Sequence, residues 1–404
     1  MSTRRAAAIR QESPLPVQAI TAPQIATGEG LLDGHGVILD GDRIRAVVPV
    51  RALPDGIPVT VLDGGILAPG LVDIHVHGAA GAGFNAGDVS ESIIAARALR
   101  AAGVTTALPT LASADIGGML KALDALAEIT GTQGVPHMPG AHLEGPCLSH
   151  AQRGAQSPSG LIGADDTAVS RILERAEQIR VMTLAPELPG AIALIGRLVD
   201  LGIVASAGHS DGTIDDLARA QDAGLSHVIH IYSGQSTTTR RGPWRIPGML
   251  EATLVSRGLT VEMIADGRHL PPALMQLAFR MLSGRLCLVS DATSGAGLPE
   301  GDTYRMGNVE YIVEDGVGMT ADRSSFAGST TLLPDMLPIA ATTLGLSEAE
   351  AIAMATSIPA RAARLDDVGR IAPGARADFV HLSADLRVQA VAIGGTWDAR
   401  STVH

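Results

Sequence analysis

The sequence contains little cysteine, lysine or aromatic residue. Cys147 and Cys287 are the two cysteines among 404 residues, which is too few for a disulfide framework, and they do not form a CxxC pair. We therefore expect two reduced thiols packed inside a cytoplasmic protein. Aromatic residues make up only 2% of the chain, so the core has to be built from Ala, Val, Leu and Ile. Lys121 is the only lysine, and any chemistry that needs a lysine has to use it.

Excess basic charge and long apolar runs are also missing. The net charge of −12 disfavours nonspecific binding to nucleic acid, because such binding needs a basic surface. No run of 18 apolar residues occurs, so we expect no membrane span. The first residues, MSTRRAAAIRQESPLP, carry charge without a following apolar stretch, and we do not expect a signal peptide. The chain could still bind a small anion through a few local arginines.

The two ends of the chain have the pattern of short β-strands. Residues 36–50, GVILDGDRIRAVVPV, predict a hairpin with Asp40-Gly41-Asp42 as its turn. Residues 379–382 and 388–393 are also strand-like. We therefore predict one small β-sandwich domain, formed from both chain ends by residues 1–65 and 370–404.

The middle of the chain, residues 66–369, alternates short apolar runs with helix-length segments such as 90–103 and 167–178. Eight such units in series predict an α/β fold, a (β/α)8 TIM barrel. The runs are apolar throughout rather than at alternate positions, which is typical of a sheet buried on both faces. The runs cover residues 71–78, 105–112, 139–146, 180–187, 202–210, 226–233, 259–267 and 285–293.

Ionisable residues cluster at the ends of these runs, where catalytic residues of such barrels lie. His75 and His77 are two residues apart on one strand, so both imidazoles point to the same side. Imidazole and carboxylate together fit zinc, iron, cobalt or manganese, and the residues do not choose among them. The residues in this pattern are His75, His77, Glu144, His209, His230, Asp266, His269 and Asp291.

A single histidine is more commonly a surface or core residue than a metal ligand. For two histidines close to the proposed ligands, His142 and His227, we also expect a structural role. Five candidate ligands at equivalent barrel positions nevertheless favour a metal site. The histidines to which we assign no function are His35, His137, His150, His381 and His404.

Several longer motifs resemble one known family. ILAPGLVDIHVHG, AHLEGP, TLAPE, SAGHS, ADGRH, LVSDAT and FAGST occur in the order found in the N-acetylglucosamine-6-phosphate deacetylases of the amidohydrolase superfamily. The resemblance covers roughly residues 60 to 380. It implies one or two divalent metal ions, with zinc expected, and Asp291 as the catalytic residue. The implied ligands are His75, His77, Glu144, His209 and His230.

The resemblance also implies an activity and an assembly. Many amidohydrolases bridge their metals with a carbamylated lysine, but Lys121 lies in the helical stretch GGMLKALDALAEI, so Glu144 has to take that place. The implied reaction converts N-acetylglucosamine-6-phosphate to glucosamine-6-phosphate and acetate, with a metal-activated water as nucleophile and Asp291 moving its proton to the amine. The implied assembly is a homodimer.

The proposed substrate site departs from the family pattern. Gln156 stands where the family has a sugar-contacting histidine, and Ser233, before Gly234, stands where it has an asparagine. Arg245 matches the family's phosphate-binding arginine but follows an insertion that contains Arg240 and Arg241. The sequence does not decide which of the three arginines binds an anion. Alternatively, the segment is a solvated basic loop without a ligand. The remaining substrate residues implied by the match are Ala155 and His269.

These departures leave a second enzymatic hypothesis. The same chemistry on another N-acyl amine, an N-acyl amino acid or a cyclic amide would need only different loops, because substrate choice resides in loops rather than in the fold. A metal-free barrel with an interaction role is disfavoured, because this chain retains all five ligands and Asp291.

Overall fold

The computed structural model of the protein describes residues 17–28, 30–306 and 309–398. The predictions about the N-terminal segment, about His404 and about the outer limits of the small domain fall on residues 1–16 and 399–404 and lie outside the described residues. In the described part of the chain, no helix is long and apolar enough to cross a membrane.

Two β-sheets contain strands from the N-terminal region, and the second also contains strands from the C-terminal region. In spatial order, the four-stranded sheet consists of Arg43–Pro49, His35–Asp40, Gln18–Thr21 and Val59–Val61. The six-stranded sheet consists, in the same way, of Thr396–Trp397, Val388–Ile393, Phe379–Leu382, Ile66–Pro69, Gln24–Thr27 and Gly30–Asp33.

Residues from both chain ends also share one apolar cluster. Ile20, Leu39 and Leu67 lie in it together with Phe379 and Ala392, so burial of apolar surface ties the two ends to each other. The predicted hairpin is confirmed, because Asp40 pairs with Arg43 across the turn. The boundaries at residues 65 and 370 stay predictions; the strand Ile66–Pro69 belongs to the six-stranded sheet.

Eight parallel strands form the barrel, and they neighbour one another in chain order. The ring closes at its carboxyl end, where Val76 bridges Ala292 and the Asp291 N–H donates to the His75 carbonyl at 2.9 Å. The predicted TIM barrel is thus confirmed. Its strands are Leu71–Val76, Val104–Ala112, Ala141–Glu144, Ile179–Leu184, Val204–Ala207, His227–Val228, Thr260–Ile264 and Leu286–Val289; we number them first to eighth.

Helices follow the strands and cover the barrel. The first begins at a cap, where the Asp88 carboxylate accepts from the Ser90 N–H at 2.8 Å, and ends at Gly103, whose φ of +122° suits glycine. The α-helices are Val89–Ala102, Ile116–Ile129, Ala168–Leu173, Ala191–Asp200, Ile214–Asp222, Met249–Val255, Pro272–Leu282, Leu333–Leu344, Glu348–Met354 and Ser357–Ala362. Short 3-10 helices span Val50–Ala52, His150–Gln152, Pro158–Gly160 and Ala176–Gln178.

Additional strands lie beside the carboxyl end of the barrel. A four-stranded antiparallel sheet, which the sequence analysis did not predict, follows the eighth strand and consists of Thr303–Met306, Val309–Glu314, Val317–Thr320 and Phe326–Ser329. We call it the cover sheet. Two small hairpins pair Gly78–Ala79 with Ala82–Gly83 and Thr239–Arg241 with Trp244–Ile246.

Candidate metal centre

The ends of four barrel strands place the five predicted metal ligands in one cluster. His75 is the next-to-last residue of the first strand and His77 follows it; Glu144 ends the third strand. His209 and His230 come two residues after the fifth and sixth strands. All five side chains are buried.

Glu144 lies at the centre of this cluster. Its Oε1 is 2.9 Å from His209 Nε2 and 3.0 Å from His230 Nε2, and its Oε2 is 3.3 Å from His77 Nε2. His75 Nε2 is 3.7 Å from Oε1. One carboxylate thus faces four imidazole nitrogens, an arrangement in which it can bind one ion or bridge two.

Asp291 lies on the other side of the first-strand histidines. Its Oδ1 is 3.3 Å from His77 Nε2 and 3.5 Å from His75 Nε2. Asp291 and His209 both have φ of +45°, a left-handed conformation that costs a non-glycine residue about 1–3 kcal/mol and is found preferentially at functional sites. Asp291 lies two residues after the end of the eighth strand, and its positive φ turns the carboxylate toward the cluster.

The donor set fits a divalent metal ion. His75 Nε2 is buried and makes no hydrogen bond with any residue in the described ranges, while its Nδ1 is held by Glu262 at 2.8 Å. His209 is oriented in the same way, with Nδ1 2.8 Å from the Gln152 carbonyl. Holding one imidazole nitrogen fixes the tautomer that offers the other to a metal. Three overlapping groups in the described ranges have ligand atoms within 4.8 Å of one another. Two of them contain only predicted ligands and Asp291, namely His75, Glu144 and His230, and His75, His77 and Asp291; the third is His75, His142 and Glu262.

The electrostatics of the cluster favour added positive charge. Burial lowers the pKa of His77, but Asp291 and Glu144 outweigh this and raise it to about 9. Burial likewise opposes ionisation of Glu144, yet the hydrogen bonds and charge of His209 and His230 hold its pKa well below its ordinary value. Protons and a metal ion therefore compete for the same nitrogen and oxygen atoms.

Glu262 is a carboxylate at this site that the sequence analysis missed. It is fully buried in the seventh strand and accepts from the His230 backbone N–H at 3.2 Å as well as facing His75. The available signal was a charged residue in the middle of the apolar run LTVEMIADG, which in a barrel strand has to face an interior partner.

The two histidines predicted to be structural lie next to the ligands. His142 bonds the Ile74 carbonyl at 3.0 Å and Thr183 Oγ1 at 2.8 Å. Burial and the charge of His75 lower its pKa to about 3, so this imidazole is neutral. His227 is held between Thr260 Oγ1 at 2.8 Å and Glu262 at 3.0 Å.

A cavity of about 180 Å³ opens directly above the cluster. Five of the six predicted substrate residues line it, together with His77, Glu144, His209, His230 and Asp291; those five are Ala155, Gln156, Ser233, Gly234 and His269. Arg245 is not among the lining residues. It lies on the exposed hairpin Thr239–Ile246, where its Nη1 donates to the Pro243 carbonyl at 3.0 Å.

Gln156 is committed to the metal ligands rather than free in the cavity. Its side-chain N–H donates to Glu144 Oε2, and its oxygen accepts from the Ser113 N–H at 2.8 Å. Gln156 therefore helps to hold Glu144 as well as lining the cavity.

His269 is held at the cavity wall by Asp266. Its Nδ1 is 2.7 Å from Asp266 Oδ2, which also accepts from Ser329 Oγ at 3.0 Å. Burial would raise the pKa of Asp266, but the bonds to His269 and to backbone N–H groups lower it to about 2. Because the ionised Asp266 binds Nδ1 of His269, the Nε2 atom of this imidazole is available to a ligand.

The cover sheet forms the remaining wall of the cavity through Met306, Phe326, Ala327 and Gly328. Phe326 packs edge-on against the His269 ring, with centroids 5.0 Å apart. Only the motif FAGST pointed to this segment in the sequence.

Comparison with known proteins gives a consistent result over nearly the whole chain. The model of the "Amidohydrolase family" matches residues 66–397, and that of the "NagA composite domain" matches residues 18–67.

Individual relatives are similar over most of their length. The N-acetylgalactosamine-6-phosphate deacetylase of Escherichia coli O157:H7 is 32% identical over 93% of this chain and 98% of its own. A protein of the same name from Shewanella sp. (strain ANA-3) is 35% identical over 83% of each chain. A Mycobacterium smegmatis N-acetyl-D-glucosamine-6-phosphate deacetylase, solved as a mutant in complex with N-acetyl-D-glucosamine-6-phosphate, is 33% identical; it matches 94% of this chain and 99% of that chain with a TM-score of 0.86.

Proposed function

Because the chain belongs to the amidohydrolase family, we propose that this hydrolase removes the N-acetyl group of N-acetylglucosamine-6-phosphate. The products are glucosamine-6-phosphate and acetate. The main support for the proposal is that the five predicted metal ligands and Asp291 meet beneath one cavity. Five of the six predicted substrate residues line this cavity. The Mycobacterium smegmatis enzyme, similar over nearly its whole length, is solved with this sugar phosphate.

We assign the metal to His75, His77, Glu144, His209 and His230. Zinc is the proposed ion, with iron, cobalt and manganese as alternatives, because imidazole and carboxylate donors suit all four. The overlapping ligand groups support up to two ions per chain. A bound divalent metal would polarise the amide carbonyl and make a water nucleophilic near neutral pH.

Asp291 is the proposed acid–base residue. Burial raises the pKa of its carboxyl, but His75 and His77 outweigh this and lower it, so the group is ionised and able to accept a proton. It lines the cavity, within reach of a water beside the ligands. The attacking water forms the new C–O bond and gives its proton to Asp291; the C–N bond then breaks as Asp291 returns the proton to the leaving amine.

The cavity wall supplies the proposed sugar contacts through Ala155, Gln156, Ser233, Gly234 and His269. For the phosphate we propose the arginine hairpin, residues 239–246, which carries Arg240, Arg241 and Arg245 on an exposed surface. Trp244 on this hairpin is 72% exposed, and an aromatic side chain so exposed supports a proposed homodimer in which a second copy covers it.

Two further assignments are proposals of the same kind. We propose that residues 1–65 and 370–404 form the small domain, supported by the apolar cluster that both chain ends share. We propose a cytoplasmic location, supported by two free, buried thiols, Cys147 and Cys287.

A second candidate substrate is the galacto epimer, N-acetylgalactosamine-6-phosphate. The two relatives from Escherichia coli and Shewanella carry that name, and the swaps at Gln156 and Ser233 lie in the wall that a sugar would contact.

Acetate release distinguishes these proposals. The metal-loaded protein is incubated in parallel with N-acetylglucosamine-6-phosphate, its galacto epimer and unphosphorylated N-acetylglucosamine. We expect fast release from one or both phosphorylated sugars and slow release from the unphosphorylated one. Release from none of the three, by protein with bound metal, would contradict the proposed substrate and favour another N-acyl amine, an N-acyl amino acid or a cyclic amide.

A further inference from the structure

Glu262 contacts the proposed metal ligands His75 and His230 but does not line the cavity. It lies in the middle of the seventh strand, Thr260–Ile264, and is 0% exposed. It is not one of the residues that line the cavity above the ligands. A fully buried carboxylate is costly unless its oxygens are satisfied by donors, so its partners show what it does.

Three donors converge on this one carboxylate. Oε2 faces His75 Nδ1 at 2.8 Å and accepts from the His230 backbone N–H at 3.2 Å. Oε1 faces His227 Nε2 at 3.0 Å. An ionised carboxylate only accepts hydrogen bonds, so the proton of a neutral His75 sits on Nδ1 and the lone pair on Nε2 points into the metal centre.

The two parts of the centre depend on Glu262 to different degrees. The group of Glu144, His209 and His230 meets Glu262 through the His230 backbone, and His209 is oriented by the Gln152 carbonyl instead. His75 also lies near Glu144, but its Nε2 is 3.7 Å from Oε1, against 2.9 Å for His209 and 3.0 Å for His230. The group of His75, His77 and Asp291 contains His75, the one proposed ligand whose imidazole contacts the Glu262 carboxylate.

We propose that Glu262 is a positioning residue that fixes His75 and thereby sets the affinity of the metal position formed by His75, His77 and Asp291. The position formed by Glu144, His209 and His230 is affected little. The inference rests on the proposed function, because it takes these residues as metal ligands. It adds a residue that controls how many ions the chain holds.

The test is a cobalt(II) titration of metal-free protein, followed by visible absorbance and by metal analysis of the washed protein. Glu262→Gln replaces two acceptor oxygens by one and removes the negative charge. We expect the weaker-binding step to lose about 10–100-fold in affinity, the usual cost of removing such a partner, and the washed variant to retain about half the metal of the wild type. The tighter step should change less than about 3-fold by the same reasoning.

Thr260→Val is the matched control. It removes the partner of His227 Nδ1 on the same strand but leaves the Glu262–His75 contact in place, so both dissociation constants should match those of the wild type. If Glu262→Gln does not fold, as judged by circular dichroism, Glu262→Asp decides, because it keeps the charge and withdraws the oxygens from His75.

Three outcomes overturn the inference: unchanged constants in the Glu262 variant that folds, equal weakening of both steps, or a wild-type protein that binds a single ion. A wild-type protein that binds no cobalt contradicts the proposed function instead. The two failures are therefore distinguishable.

Discussion

At the scale of single residues, the chemistry depends on Asp291. Its carboxylate lies 3.3 Å from His77 Nε2 and lines the cavity. Asp291→Asn keeps the size and removes the basic oxygen. We expect kcat to fall by about 10²–10⁴-fold, the usual contribution of a general acid–base residue, while the ion held by Glu144, His209 and His230 remains.

Steady-state kinetics and metal analysis of the same sample measure both parts of this prediction. Asp302→Asn, an exposed aspartate in the loop after the eighth strand, is the control and should behave as wild type. Near-normal turnover of the Asp291→Asn protein would remove Asp291 from the mechanism.

The cysteines allow a second prediction at this scale. Burial raises the pKa of Cys147 to about 12 and raises that of Cys287 as well, so neither is a thiolate at pH 8. A disulfide reagent such as DTNB should react with both thiols within minutes in denaturant and with neither on that timescale in native protein, because the thiolate is the nucleophile. A fast-reacting native thiol would contradict the packing described here.

For single residues, the sequence is most informative where a strand ends, because the ends of the barrel strands face a common site. His75, His77, Glu144, His209, His230 and Asp291 could be picked because each follows an apolar run, and the structure brings them together. Glu262 could not be picked in that way because it lies inside a strand, and its signal was a charged residue within the apolar run LTVEMIADG. Gln156 lies on a loop and donates a hydrogen bond to Glu144. No periodicity in the sequence indicates such a contact.

At the scale of elements, the loop after the sixth strand supports His209 through a glycine. A Cβ on Gly234 would lie 2.5 Å from His209 Nδ1 and 3.0 Å from the Gln152 carbonyl that orients this ring. Gly234→Ala should therefore displace His209 and weaken binding of the tightly held metal at least about 10-fold, as expected for a lost ligand orientation. Metal titration of the metal-free protein measures the change.

Gly41→Ala is a matched control for this substitution. Gly41 has φ of +62° against +59° for Gly234, and a Cβ added at Gly41 would have nothing within 4 Å. Both variants bear the cost of a left-handed alanine, about 1 kcal/mol, which urea denaturation should detect in each. Equal metal affinity in the two variants would show that the contact with His209 carries no function.

The buried strands of the barrel could be predicted from the sequence, whereas the partly exposed strands of the cover sheet could not. The eight barrel strands are almost entirely buried, and even the two-residue sixth strand, His227–Val228, was marked by a longer, mainly apolar run. The cover sheet was not predicted because its strands mix buried and exposed residues over short lengths; Val309–Glu314 buries only Tyr311 and Val313. Its contribution to the cavity wall arises from tertiary packing.

At the scale of the whole molecule, the arginine hairpin leaves the large aromatic side chain of Trp244 exposed in a single chain. If a second copy covers it, Trp244→Ala should raise the dissociation constant of the homodimer at least about 10-fold, because large aromatic residues dominate interface energies. Light scattering after size exclusion, over a range of protein concentrations, measures this. Val50→Ala, an exposed apolar residue of the small domain, is the control. A monomeric wild type, or a dimer unaffected by Trp244→Ala, would contradict the proposed assembly.

The barrel places the proposed metal centre at the carboxyl ends of its strands, and every proposal about the reaction depends on an ion bound there. The most direct test is anomalous diffraction at the zinc edge from crystals of zinc-loaded protein. We expect a peak about 2.0–2.2 Å from a Glu144 oxygen and from the Nε2 atoms of His209 and His230, with any second peak beside His75 and His77. A zinc-loaded crystal with its anomalous peaks elsewhere, or with none among these residues, would contradict the proposed metal centre.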